Sequence, residues 1–174
     1  MSLHIIIDGY NLIRQSPDLS AIDTLDMEAG RYALIDSLAA YKRIKAHKIT
    51  VVFDGTAAPS YYQHNDKRKG IEIRFSMPGE TADRLIKSMA AKKKERALVV
   101  SSDNEILAFA EAAGAAVITS PAFEARITRA IMLEGAGPDP EDDTPGWRPT
   151  TKKKGPSRRL PKKKRKSQKK IRKL

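Results

Sequence analysis

The sequence predicts a three-layer α/β domain with a mostly parallel central sheet. Two observations predict this class: short apolar runs rich in β-branched residues recur along the chain, and helical hydrophobic patterns separate them. A fifth run, Ile71–Phe75, alternates apolar and charged residues and predicts a strand nearer the sheet edge. The four buried runs are Leu3–Ile7, Ile49–Phe53, Ala97–Val100 and Ala115–Thr119.

Four helical segments are predicted between and after these strands. The first extends from about Asp26 to Ala46, and the second covers residues 82–93, where apolar side chains follow helical spacing. A third, marked by Ile106, Leu107 and Ala110, would end at Gly114 as its C-cap. A fourth would begin at Ser120, with this residue as N-cap and a proline directly after it.

The positive charge of the chain is concentrated at one end. The 174 residues carry a net charge of +12, and 14 of the 33 Lys and Arg lie in residues 151–174, which contain no acid. Residues 1–150 then hold 19 basic and 21 acidic residues, a net charge of −2. We predict a domain at 1–135, a Gly/Pro-rich acidic linker at 136–150 and a disordered basic tail at 151–174, because the tail buries too little apolar surface to order itself alone. Such a tail favours polyanions such as RNA or the ribosome.

Several classes of function are excluded by residues that are absent. The chain has no cysteine, which rules out disulfides, thiolate metal sites and cysteine nucleophiles. Its apolar runs are too short to span a membrane, and the first residues lack the basic region of a signal peptide, so we expect a cytoplasmic protein without a membrane partner. No phosphate-binding glycine motif is present, so no nucleotide cofactor is expected. Val52 stands where the haloacid dehalogenase motif needs an aspartate nucleophile, which excludes an aspartyl-phosphate mechanism.

Acidic side chains follow the predicted strands at the points where these end. Since the carboxyl ends of parallel strands meet at one edge of the sheet, we expect these carboxylates to lie together. Their mutual repulsion would be relieved by a hard divalent cation with oxygen ligands, Mg²⁺ or Mn²⁺. Such a site is suited to phosphodiester hydrolysis. The acids are Asp8, Asp54, Glu80, Asp83 and Asp103.

Taken singly, each acid also has a purely structural explanation. Asp8-Gly9 and Asp54-Gly55 are common strand-ending turns. Ser102 and Glu105 have the spacing of a capping box, which would place Asp103 at the first helical position. Acids in a first helical turn are also favoured by the helix dipole. Only their recurrence after successive strands indicates a common site.

Four blocks of sequence, taken in order, resemble the YacP-like bacterial branch of the NYN domains, within the PIN-like nuclease superfamily. The blocks are Ile5–Ile13, Val51–Gly55, Glu80–Asp83 and Val99–Asp103, and the resemblance covers residues 3–133. It implies a parallel sheet flanked by helices, an acidic divalent-metal site and endoribonuclease activity. By matching motif it implies metal-binding and catalytic roles for Asp8, Asp54, Asp83 and Asp103, a metal-binding role for Glu80, and a catalytic role for Asn11, which would orient the phosphate or a metal-bound water.

RNA-binding residues are predicted in two basic segments. The segment after the second strand leaves from the same edge as Asp54, and its aromatic and basic side chains would stack unpaired bases and contact phosphates. A solvated loop with tyrosines packed on the body is an equally open explanation of this segment. The predicted RNA-binding residues are Tyr61, Tyr62, Lys67, Arg68 and Lys69, and in the tail Lys162, Lys163, Lys164, Arg165 and Lys166.

The combined prediction is a metal-dependent endoribonuclease that cuts single-stranded RNA. Its expected substrate is mRNA, free or on the ribosome, with mRNA decay as its role, and the tail would add affinity for RNA or the ribosome. A non-catalytic RNA-binding or ribosome accessory protein with the same fold stays open as an alternative. A structure-specific DNA nuclease is a third reading, which is disfavoured because no helical arch insertion is visible between the motifs.

Overall fold

The computed structural model describes residues 3–57, 65–135, 162–172 and 174. The strands in these residues are His4–Asp8 (β1), Lys48–Phe53 (β2), Asn65–Arg68 (β3), Ile71–Phe75 (β4), Ala97–Val100 (β5) and Ala116–Ile118 (β6). They form one sheet in the order β3-β4-β2-β1-β5-β6. Every neighbouring pair is parallel except β3 and β4, which form an antiparallel hairpin at one side of the sheet.

Helices connect these strands and complete the outer layers. In the described part of the chain the α-helices are Gly9–Gln15 (α1), Pro17–Leu25 (α2), Met27–Ile44 (α3), Ala82–Lys93 (α4), Asn104–Ala112 (α5), Ser120–Gly135 (α6) and Lys162–Ile171 (α7). Short 3-10 turns lie at Gly55–Ala57 and Lys94–Arg96. Within the residues that the structure describes, no helix is both long enough and apolar enough to cross a membrane.

The sheet is the middle of three layers, because side chains of each strand alternate between its two faces. Ile5 and Ile7 of β1 belong to a core cluster shared with α1, α3 and α6. Ile6 between them belongs to a second cluster, shared with α4 and α5. Both faces of the central strands are therefore buried, which explains why their sequences are continuous apolar runs and confirms the predicted fold class.

The predicted elements agree with the structure wherever the hydrophobic pattern is strong. The four apolar runs are β1, β2, β5 and β6, and the alternating run is β4, one strand from the edge. The edge strand β3 was not predicted, because its sequence is entirely polar and its side chains are mostly exposed. Helices α1 and α2 were also not predicted, and α2 contains no buried residue that would mark an inner face.

The basic tail differs from its prediction in one part. Residues 136–161 lie outside the described residues, whereas residues 162–171 form α7, which packs beside β6. Leu174 is only 7% exposed and joins the core cluster around β1 and α3. The Tyr41 hydroxyl donates to the carbonyl oxygen of Leu174 at 2.9 Å, and Arg126 Nη1 donates to that of Ile171 at 3.0 Å. Residues 162–171 thus form a helix against the body, which supplies the apolar surface that the tail lacks, and the predicted disorder of the rest of the tail stays a prediction.

Candidate active site

The C-terminal ends of the parallel strands form one edge of the sheet, here called the carboxyl edge, and their N-terminal ends form the opposite, amino edge. Asp8 ends β1, and Asp54 follows β2 directly at the same edge. Asp103 follows β5 after two serines, and Asp83 lies in the first turn of α4. The topology thus brings these four predicted acids to the carboxyl edge.

Asp8 is half-buried and is held by hydrogen bonds on both carboxylate oxygens. As the N-cap of α1, its Oδ1 accepts from the backbone N–H of Asn11 at 3.3 Å. Its Oδ2 accepts from the hydroxyl of Ser101 at 3.2 Å. The pKa of Asp8 is raised to about 6. Burial is the main cause and the charges of Asp83 and Asp103 contribute, whereas the two hydrogen bonds act in the opposite direction.

Ser101 connects Asp8 to Asp103. Its side chain is fully buried, and its Oγ accepts from the backbone N–H of Asp103 at 3.1 Å while its hydroxyl donates to Asp8. Asp103 Oδ1 in turn accepts from the N–H groups of Glu105 at 2.7 Å and Ile106 at 3.2 Å. Asp103 is therefore the N-cap of α5, one residue later than the capping box from Ser102 predicts. Sequence reasoning missed Ser101, although its position between β5 and Asp103 is the signal that marks it.

Asn11 links three loops at the carboxyl edge through a single oxygen. Its Oδ1 accepts from the backbone N–H of Ser102 at 2.8 Å and from the hydroxyl of Ser120 at 2.8 Å. The N–H of Ser120 donates to Ser102 Oγ at 3.3 Å, which closes the arrangement. The Ser120 hydroxyl is thus used on Asn11, and the predicted N-cap role of Ser120 is corrected, since α6 includes Ser120 as its first residue. Asn11 positions the loops that carry Asp8 and Asp103.

Asn11→Ala is expected to lower the free energy of unfolding by about 1–3 kcal/mol, because it leaves two part-buried donors without their acceptor. Urea denaturation of the purified protein measures this loss. Ser120→Ala removes only one of the two donors and should cost less. A loss for Asn11→Ala within about 0.5 kcal/mol, as for an ordinary surface substitution, would contradict this positioning role.

Asp54 is fixed by the turn that follows it. Its Oδ1 accepts from the backbone N–H of Thr56 at 2.9 Å and from the Thr56 hydroxyl at 2.7 Å. These two bonds lower the pKa of Asp54, and a further bond from the backbone N–H of Ala82 acts in the same direction. Gly55 is required here because a Cβ on it would lie 2.1 Å from the carbonyl oxygen of Ser76. The Asp-Gly pair therefore keeps Asp54 ionised and close to the start of α4.

Asp83 lies among other carboxylates at the start of α4. Burial and the charge of Asp103 raise its pKa, and the charges of Glu105 and Asp54 add to this. The charge of Lys87, one turn further along α4, opposes this shift. Lys87 forms an ion pair with Glu105 of α5. Sequence reasoning missed Lys87, which lies one helical turn after Asp83 and so shares its face of α4.

The donor chemistry of the carboxyl edge fits a hard divalent cation. Every acid discussed above offers carboxylate oxygen. Burial is the main cause of the raised pKa of Asp8 and Asp83, and a bound dication relieves the repulsion between carboxylates that adds to it. In residues 3–57, 65–135, 162–172 and 174, however, no group of three or more His, Cys, Asp or Glu side chains lies close enough together to hold a metal ion. The metal-binding roles predicted from the sequence therefore stay predictions.

The remaining predicted residues fall in different places. Glu80 lies in the turn before α4, where its N–H donates to the carbonyl oxygen of Met77 at 2.9 Å, and its metal-binding role stays a prediction. Tyr61 and Tyr62 lie outside the described residues. In the tail, Lys164, Arg165 and Lys166 are exposed on α7, and Lys166 Nζ lies 3.1 Å from Glu95 Oε1. The side chains of Lys162 and Lys163 are outside the described set.

Lys67, Arg68 and Lys69 do not lie beside the acids. The antiparallel register pairs Arg68 with Ile71, the first residue of β4, so this end of the hairpin is at the amino edge. Arg68 lies over the ring of Tyr32, 3.9 Å from its centroid, and Lys69 Nζ is 2.7 Å from Asp36 Oδ1. The segment leaves from the edge of Asp54 as predicted, but β3 carries these three residues back across the sheet, and their RNA-binding role stays a prediction.

Three comparisons with known proteins agree with this geometry. A family model described as "YacP-like NYN domain" matches residues 5–173, which include α7. The curated "Uncharacterized protein YacP" of Bacillus subtilis is 29% identical over 86 residues, which is 49% of this chain and 50% of that protein. The alignment thus spans about half the length of this curated relative. Two crystal structures of Rae1 (YacP) from Bacillus subtilis, one of them a point mutant, share the fold with a TM-score of 0.65 at 23% identity, over 78% of this chain and 80% or 79% of theirs.

The sheet, its acidic carboxyl edge and these matches define the class of the protein as a PIN-like nuclease-type domain. Because the family model covers nearly the whole chain, the protein belongs to the YacP-like NYN domain family.

Proposed function

We propose that this protein is an endoribonuclease that hydrolyses phosphodiester bonds of single-stranded RNA with Mg²⁺ or Mn²⁺. The observation that carries the proposal is the placement of Asp8, Asp83 and Asp103 at one edge, although they come from three separate segments. They lie close enough that the charges of Asp83 and Asp103 add to the burial that raises the pKa of Asp8, and the charge of Asp103 adds to the burial that raises the pKa of Asp83. Carboxylates that repel one another lower stability without a counter-charge, so a functional reason for keeping them together is the simplest explanation.

The roles follow from the position of each side chain. Asp8, Asp83 and Asp103 would hold the cation, with Asp54 and Glu80 beside them. When bound, the cation supplies a Lewis acid that activates water and stabilises the leaving oxygen. Asn11 and Ser101 fix the loops that carry Asp8 and Asp103 through the hydrogen bonds described above. Lys87 is close enough to feel the charges of Asp83 and Asp103, so it would contact the RNA phosphate that the bound cation holds.

The finer assignments belong to the same proposal. We propose mRNA as the substrate, either free or on the ribosome, in the cytoplasm, with exposed basic residues of α7 adding RNA affinity. A second function, RNA binding without catalysis, is favoured by one observation. The described acids do not converge into a group of three that could hold a metal ion without side-chain rearrangement.

Incubation of the purified full chain with naked and ribosome-bound mRNA separates the two functions. We expect cleavage with Mn²⁺ or Mg²⁺, and we expect EDTA to stop cleavage while RNA binding persists. Asp8→Asn protein, prepared identically, controls for contaminating nucleases. If the wild-type protein cuts no RNA with any divalent ion, with or without ribosomes, the non-catalytic function replaces the proposed one.

A further inference from the structure

Basic side chains cluster at the amino edge of the sheet, opposite the acids of the carboxyl edge. Helices α3 and α4 both end here, β2 and β5 begin here, and the β3–β4 turn lies here. We call the exposed or half-exposed cations of these segments the basic amino edge. They are Arg43, Lys45, Lys48, Lys67, Lys69, Lys92, Lys93, Lys94 and Arg96.

Direct contacts join these segments into one surface. Lys42 Nζ of α3 donates to the carbonyl oxygen of Gly70 in the β3–β4 turn at 2.5 Å. Lys48 Nζ lies 3.0 Å from Glu72 Oε2 of β4. On the other side, Glu95 lies next to α7 through its ion pair with Lys166. The basic face of α7 therefore continues the basic amino edge along the side of β6.

His4 reports the positive potential of this edge independently. It lies at the amino end of β1, where its Nε2 is 2.7 Å from Thr50 Oγ1. Burial and then the charge of Lys48 lower the pKa of His4 to about 4, with Lys93 and Arg74 acting in the same direction and Glu72 opposing them. Cations from α4, β2 and β4 thus act on one point of the edge.

Three acids near this edge are paired with cations, whereas most of its cations form no ion pair among the described residues. Glu72 pairs with Lys48 and Arg74, Asp36 with Lys69, and Glu95 with Lys166. Within the described part of the chain no ion pair is formed by Arg43, Lys45, Lys92, Lys93, Lys94 or Arg96. The helix dipole favours cations in the last turn of α3 and α4, but it does not account for those beyond the helix ends.

Backbone geometry gives a second indication that these lysines are retained for a reason. Among the described residues, the two non-glycine residues with left-handed φ are Lys69, with φ of 51°, and Lys94, with φ of 47°. Both lie on the basic amino edge. Glycine would adopt these conformations without strain, and strained positions concentrate at functional surfaces.

We propose that the basic amino edge is a docking surface for the phosphate backbone of double-stranded RNA. Binding of a duplex at this surface does not require catalysis. Only the idea that the bound RNA is then cut at the carboxyl edge rests on the proposed function. A five-residue strand such as β1 separates the two edges by roughly 17 Å, which is about two Debye lengths in physiological salt. The two edges therefore bind their partners with little electrostatic interference.

The chemistry of the surface favours a duplex over a single strand. Single-strand binding relies on exposed aromatic side chains that stack bases. Among the described residues, the segments that carry these cations show no fully exposed aromatic side chain. Of the tyrosines of α3, Tyr32 is covered by Arg68, and Tyr41 is fully buried near the end of the helix. A dense array of cations on rigid segment ends instead matches the high charge density of a duplex, whose binding releases more counterions per contact. The substrate would then be a single strand that adjoins a folded region of the same RNA.

Fluorescence anisotropy with the full chain and an RNA duplex of about 16 base pairs tests this surface. The double variant Lys93→Gln, Arg96→Gln should lose about tenfold or more in duplex affinity near 0.1 M salt, and its log K versus log[salt] slope should flatten by about 1.8. The matched control Arg14→Gln, Arg84→Gln removes two exposed charges from α1 and the first turn of α4 and should change affinity less than about twofold, because both charges lie toward the carboxyl edge.

The variant Lys94→Gly tests whether a loss of duplex affinity could result from a loss of stability. It relieves the left-handed φ, so its thermal midpoint should stay equal or rise, while duplex affinity should still fall by several-fold. Equal duplex affinity of the Lys93, Arg96 variant and its matched control would overturn the proposal. Binding of phosphatidylserine vesicles without binding of duplex RNA would also overturn it, in favour of a membrane surface.

A cleavage assay on a short single strand separates this inference from the proposed function. At saturating substrate, the Lys93→Gln, Arg96→Gln variant should cut as fast as wild type, because the acids lie at the other edge. A wild-type protein that cuts nothing, combined with weaker duplex binding by the variant, would refute the nuclease and support the docking surface. A wild-type protein that cuts, combined with unchanged duplex binding by the variant, would support the nuclease and refute the docking surface.

Discussion

Asp8→Asn is expected to abolish RNA cleavage and, at the same time, to make the metal-free protein more stable at neutral pH. Loss of cleavage follows because Asp8 is the most constrained of the acids proposed to hold the cation. The gain in stability follows because Asp8 is half-buried and close to two other carboxylates. Asparagine keeps a side-chain oxygen to accept the N-cap hydrogen bond, and it carries no charge.

The sign of the pH dependence follows from the raised pKa of Asp8. Its folded pKa is about 6, against an ordinary value of 3.8, so between these values the folded state binds more protons than the unfolded one. Stability therefore falls as pH rises through this window, and ionised Asp8 costs on the order of 3 kcal/mol at pH 7. The advantage of Asp8→Asn should be largest above pH 6 and should vanish below about pH 4.

Urea denaturation in EDTA across this pH range measures the effect. Asp18→Asn, which removes an exposed acid from the first turn of α2, is the matched control and should show no gain at any pH. Mn²⁺ should stabilise wild type and not Asp8→Asn, because only the folded wild-type site would bind it. A variant that cuts RNA at the wild-type rate would remove Asp8 from the site, whatever its stability.

The strands and the location of the acids could be predicted because both depend on strong, local signals. A strand buried on both faces needs a continuous apolar run, and in a parallel sheet the residue after each run must lie at the carboxyl edge. Asp8, Asp54 and Asp103 reach that edge for this reason alone. The hydrogen bonds that hold them were not predictable, since Ser101 and Thr56 act through side-chain geometry that leaves no periodic signal in the sequence.

The errors of the sequence-based prediction have a common physical cause. Strand β3 is polar because it lies at the sheet edge, so no hydrophobic pattern marks the point where the chain reverses. The return of Lys67, Arg68 and Lys69 toward the amino edge could therefore not be predicted. In the tail, Ile171 and Leu174 are too few to predict from sequence that the tail packs on the core. In the structure they nevertheless pack against the core cluster beside β6 and α6.

Deletion of residues 162–174 is expected to destabilise the body, so that loss of RNA affinity is not its only consequence. Leu174 contributes a buried side chain to the core, and truncation of a buried leucine alone costs about 2–5 kcal/mol. The deletion also removes the acceptor of the buried Tyr41 hydroxyl and exposes the side of β6 that α7 covers. Since whole domains are stable by only about 5–15 kcal/mol, we expect a large drop in the thermal midpoint or aggregation.

Charge removal on α7 should separate its two roles. Lys164, Arg165 and Lys169 are exposed, so changing all three to Gln should leave the thermal midpoint close to that of wild type. Lys166 is kept, because it pairs with Glu95. For each cation that binds a phosphate, its removal should flatten the log K versus log[salt] slope for single-stranded RNA by about 0.7, up to about 2 for the triple variant. Turnover at saturating RNA should not change, because no proposed metal ligand lies on α7.

Two outcomes would contradict these expectations. A deletion variant with the thermal midpoint of wild type would show that α7 does not stabilise the body. An unchanged salt slope in the triple variant would show that the exposed face of α7 does not contact RNA.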